Sequence, residues 1–118
     1  MTEIQNQKRY DLEERTLEFA GRVRDFIRRL PKNIANFEDA KQVIRSSGSI
    51  GANYIEVNES LSKKDFLMRI KISRKEAKES RYWLSLLSVD GLEPERKVLV
   101  QEATELMNIL GAILRKSV

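Results

Sequence analysis

The stretch Arg45-Ser46-Ser47-Gly48-Ser49-Ile50-Gly51-Ala52-Asn53-Tyr54 decides the fold. Ser46 to Ser49 have the composition of a loop, and a glycine inside a helix costs up to about 1 kcal/mol relative to alanine. Yet Ala40, Val43, Ile44, Ser47, Ile50, Gly51, Tyr54 and Val57 keep a helical spacing straight across it. The stretch therefore reads as the middle of one helix over about 36–59, with small residues that let a neighbouring helix approach closely.

Outward from this helix the same periodicity recurs. Toward the N-terminus, Leu12, Thr16, Phe19, Val23, Phe26 and Leu30 alternate steps of four and three, the seam of a bundle helix. That predicts a helix over about 11–30, stopped by Pro31, which lacks the N–H to continue and pushes its predecessor out of the helical region. Toward the C-terminus, Ser62-Lys63-Lys64-Asp65 resembles a capping box and opens a helix over about 63–88. Val89-Asp90-Gly91-Leu92 turns the chain, and Glu93-Pro94-Glu95 places proline and acids in a first turn that favours both. The last helix, about 94–116, has the seam Leu99, Ala103, Leu106, Leu110 and Ile113, and ends on Arg115 and Lys116, cations suited to its C-terminal dipole. The expected fold is all-α: one domain spanning 1–118, an antiparallel up-down-up-down four-helix bundle that assembles as a homo-oligomer.

Composition excludes much chemistry. The 118 residues include neither cysteine nor histidine, so thiolate, zinc-finger and Ser-His-Asp sites have no parts. No catalytic residue, metal site or cofactor is expected. The polar stretch from Met1 to Tyr10 lacks a signal-peptide core, and no apolar run reaches membrane-spanning length; a cytoplasmic protein with no membrane partner is expected. A chain of this size buries roughly two-thirds of its unfolded surface without a disulfide or metal.

The balance of 22 Lys+Arg against 18 Asp+Glu, net +4, is mildly basic. Its distribution is uneven: Lys63 to Arg81 hold eight basic residues against three acidic, whereas Leu92 to Val118 are balanced at four and four.

On a helical wheel the 63–88 helix has three faces. Phe66, Ile70, Ser73, Ala77 and Leu84 point into the bundle. Met68, Ile72, Trp83 and Leu86 form a second apolar side, with Glu76 and Glu79 among them, and Lys71, Arg74, Lys75 and Lys78 occupy the remaining arc. A bundle helix requires one apolar stripe, so a second one rimmed with charge points to a subunit interface. Glu76 and Glu79 read as ion-pair partners rather than as an acid–base pair. Asn53 and Glu56, at the edge of the 36–59 stripe, read as a structural polar contact to the 63–88 helix or to another subunit. The basic arc, with Arg22, Arg24, Arg28, Arg29 and Lys32 near the end of the first helix, is the candidate surface for RNA or DNA; it would hold phosphates without reading sequence. The alternative is an assembly or adaptor protein whose surface meets a protein partner, the basic arc serving solubility.

Three quoted segments carry a resemblance. Ser49-Ile50-Gly51-Ala52-Asn53-Tyr54-Ile55-Glu56, then Lys64-Asp65-Phe66, then Lys75-Glu76-Ala77-Lys78-Glu79-Ser80-Arg81-Tyr82-Trp83-Leu84 resemble the bacterial family of proteins encoded in intervening sequences of 23S rRNA genes, some of them labelled S23 ribosomal protein. The likeness extends from about Tyr10 to Leu114, including Tyr10-Asp11-Leu12 and the Leu30-Pro31 helix end. Val57 departs from it, where many members have glycine. The resemblance implies an antiparallel four-helix bundle in a ring-like homo-oligomer, typically a pentamer, with no agreed biochemical function and no catalytic residues. A related branch, accessory proteins of diversity-generating retroelements, resembles it in fold and implies a basic ring surface for nucleic acid and a reverse transcriptase; this chain is less basic than that role suggests.

Overall fold

A computed structural model gives the protein four helices and, among the described residues, no strand: α1 (Thr2–Arg28), α2 (Ile34–Val57), α3 (Lys63–Leu86) and α4 (Glu93–Ser117). The structure describes residues 2–118, with side chains from Leu12 onward, so Tyr10 and Asp11 of the family-like start lie outside the described side chains. Helix α1 starts at Thr2 rather than near Asp11. Its first residues, rich in Glu, Gln, Lys and Arg, are good helix formers with no proline or glycine among them; the apolar seam marks only where the helix meets the bundle.

The other boundaries shift by local chemistry. Helix α2 begins at Ile34 because the Asn33 side chain accepts the backbone N–H of Asn36 at 2.8 Å, an N-cap. Ser62 caps α3 in the same way, accepting from the Asp65 N–H at 3.1 Å. After α3 the turn carries a single 3₁₀ turn at Asp90–Leu92, and it is Asp90, not the adjacent glycine, that takes the left-handed conformation at φ 47°, which aspartate tolerates better than most residues.

Each helix packs against its neighbours in chain order, and α4 closes back on α1; α1 and α3 lie diagonally, as do α2 and α4. Contacts between α2 and α3 run in opposite order along the two helices. Arg45, Ile50 and Asn53 of α2 meet Glu79, Ser73 and Arg69 of α3 in turn.

The α1 seam is buried as its spacing predicts, from Leu12 through Thr16, Phe19, Val23 and Phe26 to Leu30, and so are Leu99, Ala103, Leu106 and Leu110 of α4. The small stretch of α2 is continuous helix. Ser46 and Ser47 are fully buried; the Ser46 and Ser80 hydroxyls meet at 2.8 Å, and Ser73 Oγ donates to the Ile50 carbonyl at 2.8 Å. With Ala77 also at zero exposure, α2 and α3 meet through small side chains whose polar atoms are satisfied within the seam. At the α1–α2 crossing, a Cβ built on Gly51 falls 2.8 Å from Thr16 Oγ1, so that approach requires glycine.

Candidate nucleic-acid interface

The two basic groups expected to act together occupy diagonal helices. Lys71, Arg74, Lys75 and Lys78 are exposed on α3, whereas Arg22 and Arg28 are exposed on the C-terminal part of α1 and Arg29 just beyond its end. Helices α2 and α4 lie between them. Carboxylates surround the α1 group: Arg28 pairs with Asp25, and Arg22 and Arg29 line a small cleft with Asp25 and Glu95. Arg24 turns back onto the Ala20 carbonyl at 3.1 Å.

On α3 the cations stand clear. Among the described residues, Lys71, Arg74, Lys75 and Lys78 form no ion pair, whereas Arg15, Arg45, Arg69 and Arg96 each hold a carboxylate. Lys75 lies close enough to Glu79 to favour its ionised form. Arg74 folds toward α4, where its Nε lies 3.3 Å, and Arg115 Nη1 3.4 Å, from the position a Cβ would take on Gly111. Arg115, read from the sequence only as a partner for the helix dipole, thus joins the α3 arc. No sequence signal pairs these residues, because their meeting depends on the register of α3 against α4.

The expected second face of α3 is divided. Met68 and Leu86 are 46% and 49% exposed, and Ile72 is half-buried. Trp83 instead packs partly against the core, with the Tyr82 ring edge-on at 5.2 Å. Its indole N–H donates to Glu79 Oε1 at 3.2 Å.

Glu76 and Glu79 come together on a residue that periodicity does not reveal, Arg45 of α2. Its guanidinium donates to both oxygens of Glu76 at 3.3 Å and to Glu79 Oε1 at 2.7 Å. Glu76 is only 9% exposed, and a buried carboxylate requires such a partner. Burial opposes ionisation of Glu79, but the Trp83 N–H and Arg45 outweigh it and hold its carboxyl below the ordinary value. The two acids are therefore engaged in an inter-helix ion pair. Among the described residues no group of His, Cys, Asp or Glu is arranged to hold a metal ion.

Asn53 bridges to α3 within the chain, its Oδ1 accepting from Arg69 Nη1 at 3.1 Å while its Nδ2 donates to the Ser49 carbonyl at 2.9 Å. Glu56 is exposed, and its carbonyl accepts from Glu59 N–H at the end of α2; among the described residues no side-chain hydrogen bond joins it to Asn53. A second ion pair that the sequence does not disclose ties α1 to α4: Arg15 Nε to Glu102 at 2.7 Å and Nη2 to Glu105 at 2.8 Å.

A model of the 23S rRNA-intervening sequence protein family matches residues 8–112. The chain belongs to that family. Like this family member, a protein of unknown function from the S23 ribosomal protein family of Bacteroides thetaiotaomicron VPI-5482 has the same fold, with a TM-score of 0.78 and 30% identity over 92% of this chain and 98% of that one. No curated protein matches the chain. Neither the family nor the solved structure carries an enzymatic description. No helix of the family member, among the described residues, is long and apolar enough to cross a membrane.

Proposed function

We propose that this protein is a non-enzymatic, antiparallel four-helix bundle that assembles as a homo-oligomer, a pentameric ring, and binds RNA or another nucleic acid through its phosphates. The observation that carries the binding is the exposed row Lys71, Arg74, Lys75 and Lys78, four cations gathered on one helix and free of ion pairs among the described residues, whereas Arg15, Arg45 and Arg96 each hold a carboxylate. Unmatched cations on one helix face attract a polyanion and release its counterions on binding. The opposed order of contacts along α2 and α3 supports the antiparallel arrangement, and the open Met68 and Leu86 beside the half-buried Ile72 support an interface on α3. Ring size rests on the family resemblance.

Titration of structured RNA at increasing salt tests the binding. Affinity falls steeply with salt, and Lys71→Glu with Lys78→Glu lowers it at least tenfold, since two phosphate contacts become repulsions. Affinity indifferent to both overturns the reading. One observation favours a protein partner instead: a cleft of about 740 Å³ between α1 and α2, lined by Ile27, Leu30, Pro31, Ile34 and Phe37. Co-purification of one stoichiometric protein free of nucleic acid would select that adaptor role.

A further inference from the structure

Gly111 is a buried residue inside the C-terminal part of α4 with ordinary helical backbone. Nothing about its conformation calls for glycine, and at such a position alanine is better by about 1 kcal/mol. The space above it is occupied, however, by Arg74 Nε from α3 and Arg115 Nη1 from its own helix, at 3.3 and 3.4 Å from the missing Cβ. A methyl group there crowds both. Two guanidinium groups thus converge on one point of the α3–α4 groove, and among the described residues neither has a carboxylate partner. The C-terminal dipole of α4 accounts for a cation at Arg115, but Arg74 sits in the middle of α3. Both nitrogens lie within 3.4 Å of one point, so the two like charges are close enough to repel, and an anion between them turns the repulsion into two charge-assisted contacts. Lys71 and Lys78 lie one turn to either side of Arg74 on the same exposed arc, which gives neighbouring phosphates somewhere to go.

We propose that Arg74 and Arg115, converging over Gly111, clamp one backbone phosphate of a bound nucleic acid. The proposal rests on the nucleic-acid reading above and deepens it by naming the two residues that share a single phosphate. The planar, forked guanidinium suits this role, because two of them can offer parallel N–H donors to one tetrahedral oxyanion.

Poly(U) binding to the whole protein, measured as affinity against salt for Arg74→Gln, Arg115→Gln and the double variant, tests it. Both side chains are exposed, so circular dichroism stays that of the wild type. Each single variant weakens binding about tenfold and lowers the log–log salt slope by about 0.7. The double variant adds little to either, because one phosphate is lost once. Additive losses, with the slope falling twice as far, mean two separate phosphates and overturn the clamp. Binding unchanged in all three variants, but abolished by Lys71→Glu with Lys78→Glu, also overturns the clamp while leaving the proposed function standing. If the wild-type protein binds neither poly(U) nor the structured RNA at low salt, the proposed function and a backbone-phosphate clamp fail together. Inorganic pyrophosphate then separates the sources: perturbation of the Arg74 and Arg115 Nε–H resonances, lost in either Gln variant, keeps the paired anion site but assigns it to a free phosphate. An absence of perturbation removes the site altogether.

Discussion

Asn36 shows how one side chain closes an end of the bundle. Its Nδ2 donates to the Pro31 carbonyl at 2.9 Å and the Ser88 carbonyl at 2.8 Å, and its Oδ1 accepts the Ser88 N–H at 2.8 Å. It thereby ties the α1–α2 connection to the segment after α3, in a residue only 4% exposed. Asn36→Ala leaves these backbone groups without partners and costs about 2–4 kcal/mol, read from the urea midpoint. Glycines give a sharper contrast. At Gly51 a Cβ meets Thr16 Oγ1 at 2.8 Å and Thr16 Cβ at 3.2 Å, and Thr16, 1% exposed, has nowhere to retreat. Gly51→Ala therefore destabilises by about 1–3 kcal/mol despite its better propensity. Gly21 is exposed, with nothing within 4 Å of the same construction. Gly21→Ala stabilises by about 0.5–1 kcal/mol. Thermal melts of the two variants, identical in chemistry, move in opposite directions.

At the scale of the element, α3 carries most of the consequences. Its pairing with α2 combines a dry seam of Ser46, Ser73, Ala77 and Ser80 with an ion pair at the edge, Arg45 with Glu76 and Glu79. Glu79, held below the ordinary carboxylate value of 4.5 by Trp83 and Arg45 against the effect of burial, adds stability that is fully present above that value. The contribution fades as pH falls through the lower folded value, because the folded chain must then take up a proton it resists. Arg45→Gln removes part of that depression, so wild-type and variant urea midpoints differ most near neutral pH and converge in acid. A constant gap at every pH would detach Glu79 from the effect. The α1 and α4 seams, the Ser62 cap and the continuity of α2 through its serines were all legible in the sequence, since each is a local or periodic signal. Arg45, Arg15 and the Arg74–Arg115 meeting were not. A surface cation finds its partner through which helices become neighbours and at what register, and one helix's periodicity does not encode that. The same limit explains the division of the basic surface: α1 and α3 each display cations, but only packing reveals that they are diagonal.

For the whole molecule, the decisive question is what covers the outer side of α3. Met68 and Leu86, about half exposed, flank the half-buried Ile72, and burial of such side chains between subunits is worth roughly 25 cal/mol per Å² of apolar area. Trp83 belongs in a different account, because it already packs on the core and donates to Glu79. Truncating it therefore disturbs the protomer as well as any assembly and cannot separate the two. Met68→Glu with Leu86→Glu can, since both sites already reach solvent in the single chain. Light scattering of the wild type gives a multiple of 13.7 kDa, and the doubly charged variant returns to that single-chain mass with helical content and melting cooperativity retained. Ile70→Glu, at a site with zero exposure, unfolds the protein instead and calibrates what loss of the core looks like. A variant that keeps the wild-type mass would place the interface off α3. A wild-type mass of one chain would leave Met68, Ile72 and Leu86 as ordinary surface residues, and the nucleic-acid proposal would then have to stand on a single copy of the α3 cations. The salt-dependent affinity of that single copy would follow from the few phosphates it can reach, rather than from a repeated surface.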